Sequence, residues 1–409
     1  MPVLNEIVSC EVCGASSLKS VLDLGFHAMC DDLVTIGDKT VTEKYPIKIL
    51  FCSKCVTAHQ QFQIPKVVLF PETYHYRAAL TKDVLNGMRE LADSCESIVG
   101  SLENKTVLDV GCNDGSLLSI LKGKGAKTFG IEPTNAALEA QAKGHEVIQG
   151  FFEKNVARDF VENHGQPDLV TFTNVFAHIE NLGEVLAALE LLMHSTTRLV
   201  IENHYLGAVL EKNQFDTFYH EHPRTYSYTS FKFIAHSLNA QIVAVEFPKR
   251  YGGNIRVFIS RSPIPTVSAF DENALLQREK QFLNEFSKLS LNLTVWRVKK
   301  RNELLREIAR HGRLRAKAFP GRAAILLELL NLSEEHISAV YEQPGSPKVG
   351  CYIPGTRIPI LSDDSIDLSD EAPILNLAWH IHDEISHYLK KMGYRGVVIP
   401  IVAIGDFTE

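Results

Sequence analysis

The stretch TVLDVGCNDGSLLSILKGKGAKTFGIEP, residues 106–133, decides the fold. Its apolar run Val107–Val110 predicts a buried parallel strand, which leads through a glycine-rich turn into a helix that begins near Ser116. A second strand is predicted to end at Glu132. Glycines in such a turn let the backbone approach a ligand closely, and the helix N-terminus offers unpaired N–H groups. The segment therefore predicts a strand–turn–helix–strand unit that holds a ligand at its turn.

The polar residues of this turn distinguish two kinds of nucleotide-binding fold. The spacing is D-x-G-x-N-x-G rather than the G-x-G-x-x-G of dinucleotide-binding proteins, and its residues are Asp109, Gly111, Asn113 and Gly115. Glu132 lies 21 residues after Gly111, where a carboxylate can accept hydrogen bonds from both hydroxyls of a ribose. Because an acid precedes the first glycine, the segment resembles class I S-adenosylmethionine-dependent methyltransferases.

The rest of this region alternates strands and helices, as a doubly wound α/β sheet does. Ligands of such sheets bind at the carboxyl ends of the strands. The elements that we predict are a third strand within 146–152, a fourth within 167–175, a helix over 182–193, a fifth strand over 198–205 and a closing hairpin within 240–260. The resemblance then implies that the cofactor-binding residues are Asp109, Gly111, Asn113, Gly115, Glu132, Gly150 and Asn174. Of these, Glu132 would bind the ribose, and the backbone after Gly150 and Asn174 would flank the adenine and the methyl end.

Four of the eight cysteines lie in two C-x-x-C pairs near the N-terminus: Cys10, Cys13, Cys52 and Cys55. Two such pairs can complete a tetrahedral zinc site, and a site with four cysteine ligands is closed to substrates. We therefore predict a structural zinc ion in a ribbon-like domain, with a loop in the 38-residue gap between the pairs. Unrelated thiols, or one redox-active pair, are the alternatives.

The composition sets limits on the function. With 409 residues, 45% hydrophobic and 22% charged, the chain is long enough for about two to three globular domains. A net charge of −7 argues against nucleic acid as the main partner. No run reaches the ~18 apolar residues of a membrane span. The N-terminal residues do not resemble a secretory signal, so we expect a cytoplasmic protein. We also expect a monomer or weak dimer that acts on a small-molecule substrate.

Two polar clusters follow predicted strands. NVFAHIEN places Asn174 and His178 after the fourth strand, and FDTFYHEHPRTYS, residues 215–227, places four consecutive polar residues after the fifth: Tyr219, His220, Glu221 and His222. Such a run is hard to explain by packing alone. A solvated loop, histidines bonded to backbone carbonyls and a metal site are the alternatives.

These motifs occur in the order seen in the sugar C-methyltransferase family. The C-x-x-C pairs, YHYR (74–77), VLDVGCNDGSLL, IEPTNAA, NVFAHIENL, FDTFYHEHPRTYS and GGNIRVFIS resemble that family between residues 10 and 260. The resemblance implies a zinc domain (1–72), a methyltransferase domain that binds S-adenosylmethionine (73–262) and a C-terminal Rossmann-like α/β domain (263–409) that contributes to substrate binding. The implied substrate is a nucleotide-linked deoxy-keto sugar, with dTDP as the expected nucleotide.

The resemblance also implies catalytic roles. His222 would be the base that removes a proton next to the ketone, with Glu221 orienting it or bonding the sugar. Tyr219 and His178 would donate hydrogen bonds to the developing enolate oxygen. Tyr76, or alternatively Tyr74, would close the site.

The C-terminal third agrees with the family more loosely, and one stretch of it departs from the family pattern. Where the family has a glycine- and alanine-rich turn, this chain has RHGRLRAKAFPGRAA, residues 310–324. The arginines of this stretch would either meet a diphosphate or be solvated; they are Arg310, Arg313, Arg315 and Arg322. This departure keeps two further functions open. One is a class I enzyme that methylates oxygen, nitrogen or carbon of a non-sugar molecule, and the other is a zinc-ribbon module that binds or modifies nucleic acid.

Overall fold

The structure is a computed structural model that describes residues 4–74, 76–80, 82–263 and 270–407. The predicted outer domain limits at residues 1 and 409, and His75 of the YHYR motif, lie outside the described residues. Within these ranges, none of the helices combines the length and apolar character needed to cross a membrane.

A seven-stranded sheet forms the centre of the molecule. Its strands, in spatial order, are Gln241–Glu246, Asn254–Ser260, Arg198–His204, Leu169–Thr173, Thr106–Val110, Lys127–Glu132 and Glu146–Gln149. Asn254–Ser260 runs antiparallel to both of its neighbours, and the pairs from Arg198–His204 through Glu146–Gln149 are parallel. This order confirms the predicted doubly wound sheet and its closing hairpin.

Helices accompany the central sheet, so its inner strands are buried along almost their whole length. The helices are Lys82–Val99, Ser116–Gly123, Ala136–Ala142, Lys154–His164, Leu182–Leu192, Leu206–Glu211 and Tyr228–Ser237. The third strand ends at Gln149, earlier than predicted, and the following residues, 150–152, line a cavity instead of extending the sheet.

The N-terminal region contains both cysteine pairs and is built around a small antiparallel sheet, with Cys10 and Cys13 in a turn before its first strand. It comprises the strands Lys19–Ala28, Lys44–Cys52 and Thr57–Gln60, and Arg224–Thr225 from the central region adds a fourth strand at its edge. The second cysteine pair occupies the hairpin between Lys44–Cys52 and Thr57–Gln60. Smaller elements are the strands Asn5–Glu6, Val34–Thr35 and Phe62–Gln63 and the helix Lys66–Leu69.

The C-terminal region begins with the helices Glu272–Glu279 and Phe282–His311 and continues as a five-stranded parallel sheet. The spatial order is Ile360–Ser362, Ile337–Glu342, Leu314–Lys317, Ile374–Asn376 and Val398–Pro400. The helices Ala323–Leu329 and His382–Met392 accompany it, and the strand Cys351–Tyr352 pairs with Val34–Thr35. The stretch compared with a family turn, residues 310–324, contains the central strand of this sheet, Leu314–Lys317.

One hydrophobic core joins the three regions. Phe286, on the long C-terminal helix, packs against Phe51 of the N-terminal sheet, with ring centroids 5.4 Å apart. It also packs against Phe218, which directly precedes the YHEH motif (219–222), with ring centroids 5.9 Å apart. Trp296 on the same helix stacks on Phe215 and donates a hydrogen bond from Nε1 to the Ile401 carbonyl. The long helix therefore fixes the positions of the three sheets relative to one another.

Candidate active site

A cavity of about 870 Å³ lies between the three regions. It is bounded by the carboxyl ends of the strands in the central sheet and in the C-terminal parallel sheet. The N-terminal region contributes Cys30 and Asp31, and the segment after it contributes Phe70 and Tyr74. This is the position where open parallel sheets bind their ligands.

The glycine-rich turn forms one end of this cavity. Gly111 has φ +72°, and a Cβ atom there would lie 2.4 Å from Cγ2 of Val175. Only glycine fits this close approach. Behind the turn, Thr171 Oγ1 donates a hydrogen bond to Asp109 Oδ1 at 2.6 Å, and burial raises the pKa of Asp109 to about 7.

Glu132 ends the second strand at the same end of the cavity. Its Oε2 accepts a hydrogen bond from the Asn113 backbone N–H at 3.0 Å, and its Oε1 accepts from the N–H and Oγ1 of Thr134. A carboxylate has about four acceptor positions, so Glu132 keeps capacity for a ribose hydroxyl. The Asn113 side chain accepts from the Ala78 N–H and donates to the Tyr76 carbonyl, and this ties the segment after YHYR to the turn.

Six of the seven predicted cofactor residues line the cavity, and Gly115 does not. Gly115 has φ +75° and precedes the helix Ser116–Gly123, where a Cβ atom would lie 2.8 Å from that of Ala140. Its absence of a side chain therefore serves helix packing rather than ligand contact. Gly150 lines the cavity beyond the third strand, and Asn174 lines it with its Oδ1 accepting a hydrogen bond from Asn254.

His222 lies at the centre of the cavity with one ring nitrogen engaged. Its Nδ1 is 3.0 Å from the Thr217 carbonyl oxygen. A carbonyl oxygen only accepts, so Nδ1 carries the proton and Nε2 of the neutral ring carries a lone pair. The rings of Tyr219 and His178 lie 4.1 and 4.8 Å away, centroid to centroid.

Burial keeps the histidines of this cluster neutral. It places the pKa of His222 well below its usual value, and the neighbouring His178 and His204 lower that pKa further. Burial likewise lowers the pKa of His178 to about 4. Nδ1 of His178 donates to the Glu221 carbonyl at 2.7 Å. In its neutral form His178 therefore has no proton on Nε2, so the geometry opposes the predicted donor role.

The Glu221 carboxyl group contacts Tyr74 rather than orienting His222, which was one of its two predicted roles. It accepts a hydrogen bond from the Tyr74 hydroxyl at 3.0 Å, and the ring of His222 is oriented by the Thr217 carbonyl instead. Burial, reinforced by the charge of Asp31, raises the pKa of Glu221 to about 8. Near pH 7 most of this carboxyl is protonated and able to donate a hydrogen bond.

Two other residues of these motifs are placed differently. His220 points out of the cavity, and its Nε2 lies 3.1 Å from the Tyr45 carbonyl oxygen. Tyr76 lines the cavity but is 43% exposed. Tyr74, with its hydroxyl on Glu221, is the tyrosine of YHYR that contacts the catalytic cluster.

Sequence reasoning named one of the three cationic groups that line the far end of the cavity, Arg322, and missed the other two, Lys317 and Lys348. Of the four arginines considered, only Arg322 lines it. Arg315 is buried and donates to backbone carbonyls of 367–372, and Arg310 pairs with Glu307 on the surface. His204, at the end of the fifth strand, was also missed, although its position after a strand was a usable signal.

The four cysteines form one cluster. The Sγ atoms of Cys10 and Cys55 are 3.3 Å apart, those of Cys13 and Cys52 are 3.6 Å apart, and all four lie within 4.8 Å of one another. Tetrahedral zinc with Zn–S distances of about 2.3 Å separates its sulfur ligands by about 3.8 Å. The four thiols fit one zinc ion, which confirms the predicted structural metal.

The zinc domain holds the loop that carries His222. The strand Thr57–Gln60 pairs with Arg224–Thr225, which follows directly after this loop. Gln60 donates from its backbone N–H to the Pro223 carbonyl at 2.8 Å and from Nε2 to the Tyr219 carbonyl at 3.2 Å. Tyr219 and Pro223, on either side of the Glu221–His222 pair, are thus fixed by the strand that follows the metal hairpin.

A buried polar chain makes the same connection. Nε2 of His59 lies 3.3 Å from the Cys10 sulfur, and its Nδ1 lies 3.5 Å from a carboxylate oxygen of Glu11. The other oxygen of Glu11 pairs with Arg224 at 2.6 Å. Such contacts around a metal site orient its ligands.

Family models match the chain in three consecutive parts. A zinc binding domain matches residues 10–70, a methyltransferase domain matches residues 84–245, and a C-methyltransferase C-terminal domain matches residues 249–403. Together with the sheet order and the turn, these matches define an S-adenosylmethionine-dependent methyltransferase. The residues around the turn fit this cofactor, because an open glycine backbone and a carboxylate at the end of the second strand face the same cavity.

One curated relative is similar to almost the whole chain, and another is similar to about a quarter of it. C-methyltransferase NovU from Streptomyces niveus is 27% identical over 407 residues, which cover 98% of this chain and 96% of the relative. This relative and the family models confirm the resemblance to C-methyltransferases. A ubiquinone biosynthesis O-methyltransferase from Shewanella halifaxensis is 32% identical over 97 residues, 23% of this chain and 41% of the relative.

Solved structures match part of the chain. Magnesium protoporphyrin IX methyltransferase from Synechocystis PCC 6803 with bound SAH has a TM-score of 0.34 and 19% identity, and the match covers 44% of this chain and 84% of that one. The PH0226 protein from Pyrococcus horikoshii OT3 has a TM-score of 0.35 and 15% identity, over 47% and 97% of the two chains.

Proposed function

We propose that the protein methylates a carbon next to the ketone of a nucleotide-linked deoxysugar, with dTDP as the expected nucleotide. The observation that carries this proposal is the fixed tautomer of His222. Its Nδ1–H is held by the Thr217 carbonyl, so the lone pair of Nε2 is available as a base. A neutral, buried histidine suits the removal of a proton from carbon near neutral pH.

The same cavity supplies donors for the negative charge that forms on the ketone oxygen. The Tyr219 hydroxyl and the protonated carboxyl of Glu221 both line it. Donors placed where charge develops lower the barrier to enolisation. We assign this role to Tyr219 and Glu221 rather than to His178, whose ring proton is already bonded to a carbonyl.

The proposed reaction has two steps. His222 Nε2 takes the proton as the C–H bond breaks, and the electron pair moves to the ketone oxygen as an enolate. S-adenosylmethionine, which Gly111, Asn113 and Glu132 would hold, would supply an electrophilic methyl group for the new C–C bond at the enolate carbon, with S-adenosylhomocysteine as the leaving group. The protein's main task is to deprotonate and align, because the methyl donor is already activated.

The C-terminal end of the cavity supports a nucleotide diphosphate as the carrier. Lys348 lines it, donates to the Phe319 carbonyl and has no carboxylate ion-pair partner within the described residues. Glu342 ends the second strand of the C-terminal sheet and accepts a hydrogen bond from the Phe319 N–H. This repeats the contact between Glu132 and Asn113, and it places a carboxylate where a ribose would lie.

The test uses S-adenosylmethionine with a ¹³C methyl group and a panel of nucleotide-linked keto-deoxysugars, followed by NMR. We expect a new methyl signal bonded to a carbon beside the ketone. A methyl bonded to oxygen or nitrogen would overturn the enolate chemistry. No transfer to any sugar, with the cofactor still bound, would overturn the sugar assignment.

A second experiment examines deprotonation alone. The protein, loaded with zinc and S-adenosylhomocysteine, is incubated in D₂O with the sugar that accepts the methyl group. We expect deuterium to enter at the carbon beside the ketone in the unmodified protein and much more slowly in the His222→Asn variant. Equal exchange in both proteins would show that another group is the base.

A further inference from the structure

Arg322 of the C-terminal domain reaches across to the loop that carries His222. It follows the central strand of the C-terminal sheet, and its side chain is 11% exposed. Its Nε lies 3.3 Å from Oδ2 of Asp216, and its Nη1 donates a hydrogen bond to Thr217 Oγ1 at 3.0 Å. One guanidinium therefore binds two consecutive residues of a separate domain, which suits its planar array of donors.

Trp379 strengthens the same contact. Its Nε1 donates to Oδ2 of Asp216 at 3.0 Å, and the guanidinium of Arg322 lies over its ring at 5.9 Å. Asp216 is 1% exposed, so its charge depends on these partners from the C-terminal domain. A buried carboxylate that lost them would be destabilised.

Thr217 links this contact to the base. Its side chain accepts the hydrogen bond from Arg322, and its backbone carbonyl accepts the one from His222 Nδ1. Asp216 and Thr217 lie in the short helical turn Phe215–Thr217, so the position of that turn sets the position of the carbonyl. The chain of contacts from the C-terminal domain to the base is only three residues long.

We propose that Arg322 is a positioning residue for His222. By binding the Asp216–Thr217 turn, it holds the Thr217 carbonyl against Nδ1 and so keeps the lone pair on Nε2. The inference deepens the proposed function, since it uses His222 as the base. The contact itself does not depend on which substrate is methylated.

The positive charge of Arg322 also affects His222, because it lowers the pKa of the ring and favours the neutral form. The titratable groups that pack around His222 are His178 after the fourth strand, His204 at the end of the fifth strand, and Tyr219 and Glu221 of its own loop. Arg322 is the charged group that reaches it from the C-terminal domain, and its charge further lowers the pKa of His222 after burial and the neighbouring histidines. Removing that charge should raise this pKa.

The experiment compares Arg322→Lys and Arg322→Gln with the matched control Arg310→Lys, a surface arginine that pairs with Glu307. Each protein carries zinc, S-adenosylhomocysteine and ¹⁵N-labelled histidine, and NMR reports the protonated nitrogen of His222, assigned with His222→Asn. A lysine keeps the charge but cannot hold both partners. We expect Arg322→Lys to mix the two tautomers and Arg322→Gln to raise the titration midpoint of His222 as well.

Turnover gives the second readout. We expect kcat to fall by about 10- to 100-fold in both Arg322 variants, with KM for the methyl acceptor changed less than about twofold, because the base is displaced. A loss confined to KM, or an unchanged His222 tautomer, would overturn the proposal. Because the NMR measurement needs no substrate, it stands even if the sugar assignment fails.

Thr217→Val provides a variant with an intact Asp216 pair. It removes the hydroxyl that Arg322 contacts and keeps the carbonyl. We expect a smaller change in the His222 tautomer than Arg322→Lys causes. If the Arg322 variants lose their fold, as thermal melting would show, an unchanged tautomer in Thr217→Val overturns the proposal by itself.

Discussion

The central sheet and the C-terminal sheet begin in the same way and differ in the turn after the first strand. In each, a carboxylate at the end of the second strand accepts a hydrogen bond from that turn, Glu132 from Asn113 and Glu342 from Phe319. The central turn is open because Gly111 has no side chain. The C-terminal turn, AFPGR, instead carries a buried phenylalanine ring, 1% exposed.

This difference indicates that the end of the sheet determines where a ligand binds, and that the turn determines which ligand fits. An open glycine turn lets a cofactor approach the backbone, whereas the C-terminal turn carries the buried side chain of Phe319. On our proposal the central sheet holds the methyl donor and the base, and the C-terminal sheet holds the nucleotide. The variants below separate these two tasks.

The largest effect should come from the base. In His222→Asn we expect kcat to fall by about 10²- to 10⁴-fold, the usual contribution of one general base, while S-adenosylmethionine still binds. Steady-state kinetics and calorimetry measure the two quantities. His311→Asn, at the exposed end of the long helix, is the control. A normal kcat in His222→Asn would show that His222 is not the base.

The two carboxylates provide a direct contrast. Glu132→Ala should weaken S-adenosylmethionine binding by about 30-fold or more, because hydrogen bonds to a charged acceptor are lost. Glu342→Ala should leave that affinity unchanged and raise KM for the methyl acceptor. We would measure both variants by calorimetry, which gives the affinity for the cofactor, and by steady-state kinetics, which give KM for the acceptor. If Glu342→Ala weakened cofactor binding as much, the two turns would not be specialised.

A smaller effect is expected at the nucleotide end. Lys348→Ala should raise KM for the nucleotide-linked substrate by about tenfold, because one charge-assisted contact to phosphate is lost. Its kcat should change little. Lys39→Ala, on the surface of the N-terminal region, is the control for lost positive charge. An unchanged KM would place the diphosphate elsewhere.

The smallest effect is a pH dependence. Since the pKa of Glu221 is raised to about 8, its proton is present below that pH and is lost as the pH rises through it. We expect kcat/KM to fall above about pH 8 and this decline to vanish in Glu221→Gln, which cannot ionise. A decline that persists in Glu221→Gln would belong to another group.

Much of the central region and the four-cysteine cluster could be predicted from the sequence, because their signals are local. The apolar strands, the glycine turn and the paired cysteines each depend on neighbouring residues. The strand Leu314–Lys317 was missed because Arg315 and Lys317 interrupt its apolar pattern. Both are buried, Lys317 against Asp363 and Arg315 against backbone carbonyls, and these partners lie more than 40 residues away in the chain.

The cluster residues could be named, but their bonds could not. Nothing in the YHEH motif shows that Thr217, five residues earlier, fixes the tautomer of His222. Nor does it show that Arg322 from another domain holds Thr217 in place. Such contacts arise only when distant segments pack, so a single sequence does not display them.

The strand Thr57–Gln60 follows the metal hairpin and supports the loop that carries His222. We therefore expect the zinc ion to affect turnover. A chain without its metal would lose the hairpin that places this strand, and with it the support for the loop that carries the base. The central sheet, with its own core, would still bind the methyl donor. The metal content of a preparation should therefore set the fraction of chains that turn over, while a count of cofactor sites would overestimate the active enzyme.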